Sequence, residues 1–75
     1  MKTKYTITKK WEKKIEDMKR KADIKYTIIL QNEKRKWEQN YEYFVIKVDK
    51  RKASYIKKKE EEYLRKMRNE IREME

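Results

Sequence analysis

Tyr41-Glu42-Tyr43-Phe44-Val45-Ile46-Lys47-Val48 is the stretch on which the fold turns. Read as extended backbone, it puts Tyr41, Tyr43 and Val45 on one face and Phe44, Ile46 and Val48 on the other. β-Branched and aromatic residues favour strands, and a strand apolar on both faces belongs at the centre of a sheet. The spacing therefore predicts a central strand over 41–48.

Upstream, Ile24, Tyr26, Ile28 and Leu30 alternate with Lys25, Thr27, Ile29 and Gln31, which predicts a second strand over 24–31. Thr3 to Thr8 also alternates, Tyr5 and Ile7 against Lys4, Thr6 and Thr8, and predicts a short strand over 3–8. Between these, Trp11, Ile15, Met18 and Ala22 follow one another at steps of four, three and four, the stripe of an amphipathic helix over 9–22. Thr8 suits its N-cap, Asp23 its end, and Glu16 and Arg20 an i,i+4 pair. Gln31 to Asn40 reads as a polar loop or hairpin arm. Asp49 then caps a helix over 50–74, with Ser54 as an alternative start. Ala53, Ile56, Tyr63, Met67 and Met74 fall near one stripe of it, with Leu64 and Ile71 beside them, and Glu61–Arg65 and Glu62–Lys66 add i,i+4 pairs. At 1.5 Å per residue such a helix is about 37 Å long. Its second half is expected to project beyond the sheet or to meet a second copy.

The expected fold is α+β: one small β-α-β-β-α domain over 1–75, with a mainly antiparallel three-stranded sheet in the order 1-3-2 and both helices on one face. A right-handed crossover between the first two strands leaves a gap that the third fills, which again makes strand 41–48 central.

Composition narrows the function classes. Of 75 residues, none is Cys, His, Gly or Pro. Disulfides and thiolate metal sites are excluded, and the commonest general base and metal ligand are absent. Ser54 is the sole serine and has no triad partner. The expectation is a non-enzymatic protein with no cofactor and no metal. No apolar run approaches the roughly 20 residues that span a bilayer, and no apolar signal core follows Met1-Lys2-Thr3-Lys4-Tyr5, so a cytoplasmic location is expected and no membrane partner. The abundance of Lys, Ile, Glu and Tyr fits an AT-rich coding sequence, as in phages and mobile elements.

The net charge is +10 and uneven. Residues 1–59 hold 20 basic and 8 acidic side chains, residues 60–75 hold 4 and 6. A basic body with a mildly acidic tail points to a polyanionic partner. Lys50 to Lys59 concentrates the charge: Lys50, Arg51, Lys52, Lys57, Lys58 and Lys59, with no acid among them. At the start of a helix these cations and the free N–H groups would form an anion site, opposite an acidic helix end at Glu70, Glu73 and Glu75. Lys34, Arg35 and Lys36 are further candidates for phosphate contact. Trp37 beside them either stacks a base or folds back over the core. Tyr41 and Tyr43 are candidates for stacking or for docking a partner. Tyrosines two apart on a central strand resemble the stacking strand of RNA recognition motifs, and the β-α-β-β-α order resembles that fold without its last strand, although the motif's glycines are missing.

The leading expectation is a small basic protein that engages nucleic acid or a nucleoprotein through phosphate contacts. An alternative is an inhibitor or accessory protein of a phage or mobile element, similar in size and composition to anti-defence proteins such as anti-CRISPRs, docking an acidic protein surface. A third is a structural homodimer, joined through the C-terminal helix or the open sheet face.

Overall fold

Thr3 starts the first helix. Its backbone is extended (φ −105°, ψ 164°), and its hydroxyl accepts from the Thr6 N–H at 3.1 Å, satisfying one of the donors that every helix start leaves open. From there the computed structural model, which describes residues 3–37 and 39–74, runs as α1 (Lys4–Glu33), a 3-10 turn (Lys34–Trp37) and α2 (Tyr41–Met74). The two helices hold 30 and 34 residues, about 45 and 51 Å at 1.5 Å per residue. They lie side by side and antiparallel in a rod of 56 × 15 × 11 Å. Among the described residues there is no strand.

The α+β expectation, with its three-stranded sheet over 3–8, 24–31 and 41–48, is therefore wrong, and no open sheet face exists to join two copies. Each supposed strand is helical, and the stripe read over 9–22 is part of a longer one. Ile7, Trp11, Ile15, Met18 and Ala22 are buried in sequence along α1. The stripe continues through half-buried Tyr26, Ile29 and Leu30, which follow Ala22 at helical steps. Ile24 and Ile28, inward-facing in the strand reading, are 57% and 47% exposed. In 41–48, Phe44 and Val48 are buried one turn apart, whereas Tyr43 and Ile46 are 56% and 53% exposed. Thr8 is not a cap: it lies inside α1 and its hydroxyl donates to the Lys4 carbonyl at 2.8 Å. Asp23, Asp49 and Ser54 are all helix-interior.

Strand preference is too weak to forbid the helix. Placing Val, Ile, Thr or Tyr in a helix costs at most about 0.7 kcal/mol per residue, while burying a Phe or Val side chain contributes about 1.5–3 kcal/mol. A sheet would also need turns near 8, 23 and 49, where Asp23 and Asp49 have no Gly or Pro beside them to complete one. The chain reverses once, between α1 and α2. There Asn40 N–H donates to the Trp37 carbonyl at 2.8 Å, and Phe44 N–H to the Asn40 carbonyl at 3.0 Å.

Aromatic pairs mark the seam at intervals. Trp37 stacks on Phe44 (5.0 Å between centroids, 7° between planes), Tyr26 tilts on Tyr55 (6.2 Å) and Trp11 on Tyr63 (5.9 Å). Such pairs add about 0.5–1.5 kcal/mol each beyond the area they bury. Polar contacts add to them: Lys52 with Asp23, Lys19 with Glu60 at 3.5 Å, and Glu70, which accepts from Lys10 Nζ at 2.8 Å and Trp11 Nε1 at 2.6 Å. The second half of α2 thus packs along the first half of α1 rather than projecting. With so small a core, single caps matter. Thr3→Ala is expected to remove about 1 kcal/mol and to lower the melting temperature by roughly 4–8 °C. Circular dichroism at 222 nm measures it, and an unchanged melt would show that the first turn is frayed.

Candidate nucleic-acid interface

Lys50 to Lys59 does not stand at a helix start. It lies in the middle of α2, well beyond the first turn at Tyr41, where backbone N–H groups are spent on carbonyls four residues back. The anion site expected from free N–H groups and cations together does not exist there. Of the acids expected at the helix end, Glu73 is exposed, Glu70 is held against Lys10 and Trp11, and Glu75 lies outside the described residues.

A helix instead distributes its cations by angle, about 100° per residue. Lys52 and Lys59 fall at the seam and are ion-paired, Lys52 with Asp23 and Lys59 with Glu62 at 3.8 Å. Lys66 holds Glu62 from the next turn at 3.0 Å. The Lys66 hydrogen bond, then the charges of Lys66, Lys59 and Arg65, keep the Glu62 carboxyl below its ordinary pKa. Lys57 is exposed on the side of α2 that also bears Ala53 and Glu60. The pair Glu62–Lys66 forms as expected from spacing. Arg20 meets Asp17 at 3.9 Å rather than Glu16, and among the described residues Arg65 makes no ion pair with Glu61.

Lys50 and Lys58 belong to a different line. Tyr43, Lys47, Lys50, Ser54, Lys58, Glu61, Arg65, Arg68 and Arg72 succeed one another at steps of three and four, with Arg51 beside them, and all are exposed. This is one straight flank of α2, about 37 Å long from Lys47 to Arg72 at 1.5 Å per residue. It carries seven basic side chains and one acid. None of the seven is ion-paired among the described residues, whereas the lysines at the seam are. Like charges three and four apart on a helix each cost about 0.2–0.5 kcal/mol, and here they recur at Lys47–Arg51, Arg65–Arg68 and Arg68–Arg72.

The first helix adds to the same side. Lys25 Nζ lies 5.1 Å from the centre of the Tyr55 ring and 5.6 Å from that of Tyr26. Those two rings floor a shallow groove walled by Lys50, Arg51, Ser54 and Lys58. Lys14 and Lys21 precede Lys25 on the same flank of α1 and extend the basic face. They too are exposed and without an ion pair among the described residues. The Lys19–Glu60 and Asp23–Lys52 pairs close the seam on the other side.

Lys34, Arg35 and Lys36 form the exposed 3-10 turn at the tip, apart from the middle of the row. Trp37 is half-buried, its ring occupied by Phe44. Tyr41 and Tyr43 do not share a face, because two residues on a helix are about 200° apart. Tyr41 is half-buried with Lys34 Nζ 5.7 Å from its ring centre, and Tyr43 is exposed with Lys47 Nζ at 5.0 Å. With no strand among the described residues, the likeness to the stacking strand of RNA recognition motifs falls away. A count of adjacent lysines does not find the row from Lys47 to Arg72. Its signal is the three-and-four step of Lys47, Lys50, Lys58, Arg65, Arg68 and Arg72, which is visible only once the segment is read as a helix.

No helix among the described residues is long and apolar enough to cross a membrane. No family model matches the chain, and no curated protein or solved structure matches it.

Proposed function

We propose that this chain is a non-enzymatic nucleic-acid-binding protein that lays the basic flank of α2 along a phosphate backbone, with the cytoplasm as its site of action. One observation carries the reading: seven exposed cations, without ion pairs among the described residues, share one helix flank while the cations of the seam are neutralised. Self-repulsion along that flank costs stability in a chain with a small core, and a polyanion relieves it. Lysine and arginine charges on phosphates position a protein without reading bases, so little sequence preference is expected.

The aromatic side chains favour duplex over single strand. Stacking platforms need open ring faces, and here Trp37 packs on Phe44, Tyr26 and Tyr55 on each other with Lys25 beside them, and exposed Tyr43 and Tyr5 each have a lysine ammonium over the ring. A straight row of about 37 Å matches roughly eleven base-pair rises.

The test is fluorescence anisotropy with duplex and single-stranded DNA and RNA of equal length over a salt series. Each phosphate contact contributes about −0.9 to the slope of log affinity against log salt on duplex DNA. Roughly six to seven contacts therefore predict a slope near about −6. Tight binding with a flat salt response, or none at low salt, overturns the proposal.

A further inference from the structure

The third flank of α2, away from the basic row, is largely apolar, with Asp49 and Glu60 among its residues, and it is exposed at Ile46, Ala53 and Met74 and half-buried at Ile56, Leu64 and Met67. Ile46, Ala53, Ile56, Leu64, Met67 and Met74 run along it at helical steps, Ile46 and Met74 being 53% and 43% exposed. We propose that a second copy of this chain covers this flank, packing α2 against α2 antiparallel about a two-fold axis at Glu60.

Three observations select that occupant. The first is area. The chain exposes 6551 Å², against about 5,100 Å² for a compact monomer of its mass. Its radius of gyration is 17.1 Å, against about 11 Å for a compact domain of its length. Spread over the whole rod, the excess of about 1,500 Å² leaves room for the roughly 800 Å² that each partner contributes to a stable interface. The second is register. The steps along the flank read the same in both directions from Glu60, so an antiparallel pair sets Ile46 against Met74, Ala53 against Met67 and Ile56 against Leu64. Small meets large at Ala53 and Met67 and branched meets branched at Ile56 and Leu64, on a surface whose steps repeat about the axis as a two-fold requires. The third is charge. A parallel pair would set Asp49 against Asp49 and Glu60 against Glu60. The antiparallel pair separates the two Asp49 carboxylates and leaves only Glu60, held by Lys19 at 3.5 Å, near its mate, with the second copy's Lys57 one helical turn away. Lys57 is exposed and has no ion pair among the described residues. The dimer leaves the basic rows on its two outer sides.

Sedimentation equilibrium of the full chain tests the association. The expected mass is twice the 9.6 kDa of one chain, and Ala53→Glu, at an exposed position, is expected to return it to one. Circular dichroism must show that variant still helical. If it does not, Met67→Glu takes its place. A wild-type mass of one chain, or of three or more, overturns the proposal, as does an Ala53→Glu and Met67→Glu pair that both remain dimeric. Cross-linking tests the register, since the chain has no cysteine of its own. Ala53→Cys mixed with Met67→Cys is expected to form the mixed disulfide, and neither alone to form one. A disulfide from Ala53→Cys alone overturns the antiparallel arrangement. Nucleic-acid binding is read separately, so a monomer that still binds with a steep salt slope sinks the dimer without touching the proposed function.

Discussion

Arg51→Glu, Lys58→Glu and Arg65→Glu combined are expected to weaken nucleic-acid binding about a thousandfold. Each reversal removes one favourable charge and adds one unfavourable charge beside phosphate. A unit charge about 4 Å away is worth roughly 1 kcal/mol in water. About six units of charge change, part of them lost to salt screening, leave about 4 kcal/mol, or a factor near a thousand. The fold is expected to stand, because these three side chains are exposed and carry no ion pair among the described residues. The control for net charge is Lys9→Glu, Lys13→Glu and Arg20→Glu on the opposite side of α1, where Lys9 and Arg20 give up exposed pairs with Glu12 at 3.6 Å and Asp17 at 3.9 Å, so circular dichroism must show it still helical. That triple is expected to weaken binding by less than about tenfold, the effect of net charge alone. Anisotropy titrations at one fixed salt concentration compare them. Equal losses from the two triples would mean that binding follows total charge and that the α2 row is an ordinary solvated flank.

Trp11→Ala is expected to unfold the hairpin at room temperature. Trp11 is 9% exposed, packs on Tyr63 and donates to Glu70 from its indole nitrogen at 2.6 Å. It thereby ties the first half of α1 to the second half of α2. Truncating a buried Trp to Ala costs about 3–5 kcal/mol, and a chain of this size rarely holds more than about 3–5 kcal/mol in its core. The loss consumes the whole margin. Urea titration followed at 222 nm would show a transition moved to zero denaturant, or no transition. A cooperative transition close to that of wild type would show that the Trp37–Phe44 stack at the tip holds the hairpin by itself, and Phe44→Ala would then be the destabilising change.

Much of the packing is legible along the chain. Spacing alone places Trp11, Ile15, Met18 and Ala22 on one buried stripe, and all four are core. The extension to Ile7 and on through Tyr26 is hidden, because in Thr3–Thr8 and Ile24–Gln31 the same residues satisfy a period of two and a period of about 3.6. Composition holds the deciding clue: with neither Gly nor Pro, a fold with three tight turns and a loop is harder to make than one with a single reversal. The basic row is less legible still. Lys50 to Lys59 stands out as a run, but a helix scatters a run around its axis. Lys52 and Lys59 go to the seam, Lys57 to the apolar side, and Lys50, Arg51 and Lys58 join distant Arg65, Arg68 and Arg72.

The amino-acid sequence by itself determined the charge, the absence of thiol and imidazole chemistry, and the helical stripe of α1. Local preference and composition are properties of neighbouring residues, and they need no fold to be read. Only the tertiary structure decided between strand and helix at 41–48, because Phe44 and Val48 satisfy both periods and are buried in either, and the strand preference of the segment is too small to choose. It also decided which cations stay unpaired, since Asp23, Glu60 and Glu70 reach their partners only when two helices distant in sequence lie side by side.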